Sequence, residues 1–394
     1  MIDPQTRRTS NDPLPPFAAT SGCGRGLKLL LVGEAWGESE AMARRPFVGS
    51  SGKELFLMLG EAMPGVETEL WNSAREAFWL DAGWLKQREA WLEAVGIGMT
   101  NVLALRPPEN KLDTLCVSKK ELPDNGKGYP FPAITNGRYL RPEYLPEVER
   151  LRIEIDSSRP NLTICLGNTA CWAVLGNIGI GGIRGTVGRS IQAMGGGKSL
   201  ATYHPAGVMR NWAWRPIVVA DLMKGWREAQ FPNIIRPSRR VVINPTIEEV
   251  EQWVSQTLSA PPPLLSVDIE TAKGMITCIG FGRSRREALV VPFGTGGNYW
   301  PTASLEARAW ENIWKLLASP VPKLFQNGMY DLQYIAKLGL HVANPLHDSM
   351  LLHHSILPEM QKGLGFLGSV YTSEPAWKLM RKHRADEVGV KADE

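Results

Sequence analysis

Between Leu29 and Gly52 the chain reads LLLVGEAWGESEAMARRPFVGSSG, and few folds accommodate such a stretch. Leu29 to Val32 is an apolar run with the length and branching of a strand buried on both faces, as in parallel sheets. The run stops at Gly33, and Glu34-Ala35-Trp36-Gly37 predicts a sharp loop with a carboxylate at its tip. Ligands of open α/β sheets sit beyond the carboxyl ends of strands, so Glu34 stands where chemistry is usually done. Pro46-Phe47-Val48-Gly49 then brackets an aromatic between residues that fix or free the backbone. Ser51-Gly52-Lys53-Glu54-Leu55 starts an amphipathic helix.

The remaining composition narrows the class. At 394 residues the chain exceeds one ordinary core and predicts two or three domains. Hydrophobic residues at 43% and charged residues at 21% are those of a soluble globular protein. Lys and Arg number 44 against 40 Asp and Glu, a net charge of +4 that permits a basic face for nucleic acid. The five cysteines contain no CxxC pair and read as reduced thiols of a cytoplasmic protein. No stretch approaches the roughly 20 apolar residues that span a bilayer, which argues against a membrane protein.

Along the chain, strand-like and helix-like segments alternate. Trp71–Ala94 reads as a helical stretch and Gly98–Pro108 as a second strand. Leu115–Arg138 reads as a long surface loop, and Asn161–Leu166 as a third strand. A helix over 168–175, a Gly-rich segment from Gly176 to Gly188 and a fourth strand at Leu200–Tyr203 follow. This alternation predicts an α/β fold, a doubly wound parallel sheet. After a proline-containing connector the order changes to successive antiparallel strands and then helices, which predicts a separate mixed-sheet domain. The expected boundaries are a disordered tail over 1–22, a first domain over 23–230, a linker over 231–238 and a second domain over 239–394.

Four chemistry-bearing residues fall at comparable places in the first half. Glu34 follows the first strand, Phe47 lies on the next loop, Asn101 is on the second strand and His204 follows the fourth. Neighbouring strand ends can bring them to one pocket suited to a planar polar ring: Phe47 stacks, Asn101 donates and accepts, and His204 supports an oxygen that becomes negative. Glu34 can position water or stabilise an electron-poor sugar. The ordered blocks GEAWG, RPFVGSSGKEL, TNVLALRPPENK and TYHPAGVMRN resemble the uracil-DNA glycosylase superfamily, particularly its thermostable bacterial and archaeal branch. The resemblance runs from about Leu27 to Ala229. It implies Glu34 and His204 as catalytic residues and Phe47, Asn101, Trp36 and Arg184 as substrate-binding residues. Trp36 stands where the family usually has Pro. The branch normally binds an iron–sulfur cluster through four cysteines; here Cys23 stands alone upstream and Ala104 replaces one ligand, so no cluster is expected.

The second half carries LLSVDIET, in which Asp268 and Glu270 share one face of a strand. Two such carboxylates repel unless a cation lies between them. Asn327-Gly328-Met329-Tyr330-Asp331 then opens a helix with a third carboxylate, and HDSMLL begins another. This set resembles the 3′-5′ proofreading exonuclease domain of bacterial and phage family A DNA polymerases, an RNase H-like fold. The resemblance implies Asp268, Glu270 and Asp331 as ligands of Mg2+ or Mn2+. The family's third motif has no counterpart before Glu394, where the late carboxylates such as Asp386 and Asp393 lack the expected tyrosine. The domain therefore reads as truncated. The expected function is excision of uracil from single-stranded or duplex DNA by a phage-like fusion protein, with a separately encoded DNA polymerase as partner. The alternative is a module that binds DNA or tethers the polymerase without cutting.

Overall fold

The computed structural model describes residues 26–77, 79, 81–177, 179–294 and 299–375. The expected tail, Cys23 and the late carboxylates Asp386 and Asp393 lie outside them. The chain divides into two compact units, Met1–Ile234 together with Gly368–Glu394, and Ile235–Leu367. The expected second domain over 239–394 is thus cut at Gly368. The physical reason is a set of buried hydrogen bonds: Lys224 Nζ donates to the carbonyls of Gly185 (2.8 Å), Ser369 and Thr372 (2.6 Å), and Ser373 Oγ donates to Glu228 (2.9 Å).

In the first unit the strands are β1 (Leu29–Ala35), β2 (Ile97–Leu103), β3 (Cys116–Val117), β4 (Tyr139–Leu140), β5 (Leu162–Leu166), β6 (Val187–Arg189) and β7 (Lys198–Thr202). The main sheet has the order β2-β1-β5-β7-β6, parallel except for the antiparallel edge strand β6. Its central strands are buried along almost their whole length because helices cover both faces. Leu29 and Leu31 enter one core with Leu55, Leu59 and Trp91, while Leu30 and Val32 enter the other with Leu151, Cys165 and Trp172. The chain reverses direction across the sheet between β1 and β5. That topological switch point is where ligands of such sheets bind.

Three local expectations are corrected. β1 continues through Glu34 to Ala35, so the carboxylate is at the end of the strand and not on a loop. The helical stretch expected over Trp71–Ala94 is two helices, Thr68–Glu76 and Ala82–Val95. Asp81 starts the second by accepting the Trp84 N–H at 2.5 Å. The loop expected over Leu115–Arg138 contains β3, which pairs with β4 just after it, and buries Cys116, Leu122 and Ile134, an apolar content that its scattered Pro and Gly conceal.

The second unit is built on β8 (Arg240–Val242), β9 (Leu265–Ala272), β10 (Met275–Gly282), β11 (Glu287–Pro292), β12 (Lys323–Phe325) and β13 (His347–Asp348). Their order is β13-β12-β9-β10-β11-β8, with β9, β10 and β11 antiparallel and β12 and β13 parallel to β9. Val267 and Ile269 point into the core with Phe281, Val291, Ile313 and Leu317, so Ser266, Asp268 and Glu270 face outward. This is the mixed α/β sheet expected of the second half.

Candidate active site

Glu34 ends β1 at the switch point, and the residues after β5 lie opposite it. Gly167, in a left-handed conformation (φ +90°), turns the chain into the helix Asn168–Leu175. Thr169 in its first turn donates from Oγ1 to Glu34 Oε2 at 2.5 Å. One carboxylate oxygen is thereby fixed at the helix N-terminus, where negative charge is favoured, and the other is left for a ligand. Nothing in the sequence signals Thr169, because the partners are 135 residues apart.

Asn101 pairs with Gly33 across the β1–β2 ladder. A Cβ on Gly33 would lie 2.5 Å from Phe47 Cζ and 2.6 Å from Asn101 Nδ2, so the aromatic ring and the amide meet over a residue that must lack a side chain. Asn101 is buried. Its Nδ2 donates to the Ala35 carbonyl at 3.4 Å, while Oδ1 has no partner. A buried orphan acceptor is costly, and an incoming N–H would satisfy it.

His204 follows β7, with its Cβ 3.0 Å from where a Cβ on Gly167 would be, and its ring centroid is 6.0 Å from that of Phe47. It caps the helix Pro205–Arg210: Nδ1 accepts the Ala206 N–H at 3.1 Å. An Nδ1 that accepts must be unprotonated, which puts the proton on Nε2. Burial, reinforced by the charge of Arg210, lowers the pKa to about 4, so the ring is neutral near pH 7. The arrangement offers a neutral N–H donor towards a developing anion.

Three further charged residues hold these elements, and the sequence reading had missed them. Arg88 donates to the Pro46 carbonyl at 2.9 Å, and Glu40 Oε1 accepts the N–H groups of Val48 (3.0 Å) and Gly49 (2.7 Å). Together they fix the loop that holds Phe47 at φ +54°. Behind β2, buried Arg150 donates to Glu147 (3.0 Å) and to the Asn101 carbonyl (2.5 Å) and pairs with Glu154 (2.8 Å).

Trp36 and Arg184 do not join the four. Trp36 is 7% exposed and packs against Ala104 and Ala41. Arg184 is 3% exposed; its guanidinium is bidentate to Asp221 and donates to Ser369 Oγ at 2.9 Å. A buried Asp221 requires that counter-charge. Among the described residues no thiols gather into a four-thiolate set. Ala104 is buried with its N–H on Glu147 at 3.0 Å, Cys165 and Cys171 lie side by side in the core, and burial pushes the Cys116 thiol up to about 11.

In the second unit Asp268 and Glu270 share the outward face of β9, and burial followed by the Glu270 charge raises the Asp268 pKa. Asp331, on the helix Met329–Lys337, is turned to the strand backbone: its Oδ1 accepts the Ile269 N–H at 3.0 Å. Asp348 is spent on the N–H groups of Asn327 (3.1 Å), Gly328 (2.7 Å) and Met350 (2.8 Å). Among the described residues no three His, Cys, Asp or Glu side chains come together closely enough to hold a metal ion. No helix among them is long and apolar enough to cross a membrane.

No curated protein matches the chain. Among solved structures it is similar to Escherichia coli RNase D, an exoribonuclease involved in structured RNA processing, at 14% identity over 35% of this chain and 34% of that one, with a TM-score of 0.27. It is similar to the EXD2 exonuclease domain at 15% identity over 38% of this chain and 86% of that one, with a TM-score of 0.22. The chain thus spans about a third of the length of RNase D. The family description "Uracil DNA glycosylase superfamily" matches residues 21–225, which run from before β1, past the helix that His204 caps and into the next helix, Arg215–Glu228, and include Glu34, Phe47, Asn101 and His204. With more than half of its length matched, this chain belongs to the uracil DNA glycosylase superfamily.

Proposed function

We propose that the first unit is a uracil-DNA glycosylase that hydrolyses the N-glycosidic bond of deoxyuridine in DNA. The observation that carries this reading is the His204 tautomer: Nδ1 is held by the Ala206 N–H, so Nε2–H is the group on offer. In this reading the deoxyuridine is flipped from the strand and its ring lies against Phe47. Asn101 Oδ1, otherwise unpartnered, accepts the base N3–H, and Nδ2 faces a base carbonyl. As the N1–C1′ bond breaks, its electron pair leaves with the base, and His204 Nε2–H donates to the base oxygen that becomes negative. Glu34, steadied by Thr169, holds the water whose oxygen bonds to C1′ and takes up its proton. No step needs a metal ion or an iron–sulfur cluster, and the donor set near Ala104 supports a unit that works without one.

For the second unit we propose a 3′-5′ exonuclease-like module of weak independent activity. Asp268 and Glu270 are its ion-facing pair for Mg2+ or Mn2+, and a separately encoded DNA polymerase polypeptide completes the site. The test of the main reading is single-turnover uracil release from a single-stranded oligonucleotide without added metal. His204→Ala and Glu34→Gln should each lose about 100-fold or more, the scale for removing one transition-state group. Wild-type rates in both variants, or no release by the wild type, would refute it and favour a binding module.

A further inference from the structure

In the second unit the hairpin that joins β10 to β11 reads Arg283-Ser284-Arg285-Arg286-Glu287, and the chain entering β8 reads Arg239-Arg240. The fold sets these two segments side by side. The Arg240 N–H donates to the Arg286 carbonyl at 2.7 Å, Arg239 Nε donates to the Arg285 carbonyl at 3.1 Å, and Arg240 pairs with Glu287 in the β8–β11 register. The turn itself is held by Ser284, whose Oγ accepts the N–H groups of Arg286 and Glu287, each at 3.1 Å. Across the two segments there are five guanidiniums and one carboxylate, Glu287. That carboxylate is taken by Arg283 at 2.8 Å, and Arg283 also lies 5.0 Å from the Trp253 ring centroid. Arg240, Arg285 and Arg286 are exposed, and none of these three side chains makes an ion pair or hydrogen bond among the described residues. Like charges held this close repel one another, so the cluster costs stability until an anion neutralises it.

Beside the arginines one face of the sheet is left open by the described residues. Pairing across four strands puts Ser266, Gly282, Ala288 and Val241 in one row, and Ser266 shares the outward face of β9 with Asp268. Val241 is 47% exposed at the end of that row, and Ala288 is half-buried. A Cβ on Gly280, opposite Asp268, would meet nothing within 4 Å except the Asp268 carbonyl at 3.8 Å. A low apolar floor thus adjoins the three cations. Gly280 stands three residues before Arg283, so about 10 Å of strand separates the acid pair from the arginines. We propose that Arg240, Arg285 and Arg286 bind the phosphates of a nucleic-acid strand that lies on this face, its sugars against Val241 and Ala288. Guanidinium forks match phosphate oxygens in pairs, and several of them held together suit an anion that repeats along a backbone. The proposal rests on the superfamily reading for DNA as the polyanion; it needs neither excision nor an ion on Asp268 and Glu270.

Binding of the full chain to a labelled, uracil-free oligothymidine, read by fluorescence anisotropy over a salt series with excess chelator, tests this. Arg240→Gln, Arg285→Gln and Arg286→Gln together should lower the slope of log K against log salt by about 2, at about 0.7 for each phosphate contact on a single strand. Lys at the same three positions, which keeps the charges, should retain most of the slope. Lys119→Gln, Lys120→Gln and Lys127→Gln together, an equal loss of charge in the first unit, should change it by under ~0.5. The triple Gln variant should melt no lower than the wild type, because it removes like charges; if it melts lower, Arg285→Gln alone, with a drop of about 0.7, carries the test. A wild-type slope in the Gln variants, or an equal drop from the three lysine changes, overturns the proposal. Weakened binding of polyglutamate with unaltered oligothymidine binding also overturns it and makes an acidic protein the occupant. If wild type releases no uracil yet the slope falls as expected, the glycosylase reading fails and this contact stands. Uracil release with an unaltered slope sinks this contact alone.

Discussion

His204 shows how a single proton location sets what a residue can do. Its Nδ1 is committed to the Ala206 N–H, so protonating the ring would break that bond and place a charge in a desolvated position near Arg210. The folded-state pKa, about 4, lies below the ordinary histidine value of roughly 6.5. Between those values the unfolded chain binds the proton more readily, so the stability tied to neutral His204 is complete above about pH 6.5 and is lost as pH falls towards 4. Catalysis follows the same sign. The His204 contribution to uracil release should hold level from pH 7.5 to about pH 5, where an ordinary imidazole would already have lost it. Single-turnover rates across this range, compared with Arg210→Gln, check the assignment, since removing that charge should move the acid limb to higher pH. Steep loss below pH 6.5 in the wild type would contradict a neutral, half-buried ring. Glu34, Asn101 and His204 were readable as candidates because strand ends in parallel sheets share one edge. Trp36 and Arg184 were not readable as buried side chains, because the resemblance carries a position in a motif but not the Ala104 or Asp221 that packs against it.

Among the elements, the Pro46–Gly49 loop depends most on distant partners. Phe47 holds a positive φ that most residues avoid, and a Cβ on Gly52 would lie 1.9 Å from the Phe47 carbonyl oxygen, so the loop is pressed against the helix Ser50–Ala62. Glu40 supplies the acceptor for two backbone N–H groups that would otherwise be unsatisfied, and Arg88 supplies the donor for the Pro46 carbonyl. Replacing Glu40 with Ala should therefore destabilise the first unit by about 3 kcal/mol, the scale of hydrogen bonds to a charged acceptor with donors left buried. Glu40→Gln, which keeps an acceptor oxygen, should recover much of it. Urea unfolding reports the stability, and uracil discrimination reports the position of Phe47; Glu40→Ala with wild-type values of both would show that the loop holds itself. The sequence announced this loop through Pro, Phe and Gly but was silent on what fixes it. The strands were legible for a related reason: β1, β2, β5 and β7 each contain apolar residues on both faces, whereas β6 is short and hidden in a Gly-rich segment. The β3–β4 pair escaped notice because each strand is two residues long and gives no period to read.

Across the whole molecule, the two units place opposite demands on metal ions. The first unit offers a neutral imidazole, an amide and a single carboxylate, a set that in the proposed reaction acts on a glycosidic bond without a cation. The second offers a pair of acids, Asp268 and Glu270, on one strand face. Burial first, then the charges of Asp268 and Asp348, push the Asp331 carboxyl up to about 6, above its usual value near 3.9. The folded unit thus holds that proton more tightly than the unfolded chain does. Its stability falls as pH rises from about 4 through 6, and a nearby cation would relieve the loss. One preparation can therefore separate the two chemistries. Excess chelator should leave uracil release unchanged. Mn2+ should raise the melting temperature of the second unit more at pH 8 than at pH 5, and Asp268→Ala should remove that rise. Digestion of single-stranded DNA from the 3′ end should remain weak even with Mn2+. Asp268 and Glu270 face outward as a pair, Asp331 is turned to the Ile269 N–H, and a two-metal mechanism requires further acids around both ions. Vigorous Mn2+-dependent digestion by this chain, lost in Asp268→Ala, would mean that Asp331 swings off the strand backbone to join the pair or that a late acid such as Asp386 completes the site. Loss of uracil release in chelator would instead place a metal in the first unit, against the chemistry of its donor set.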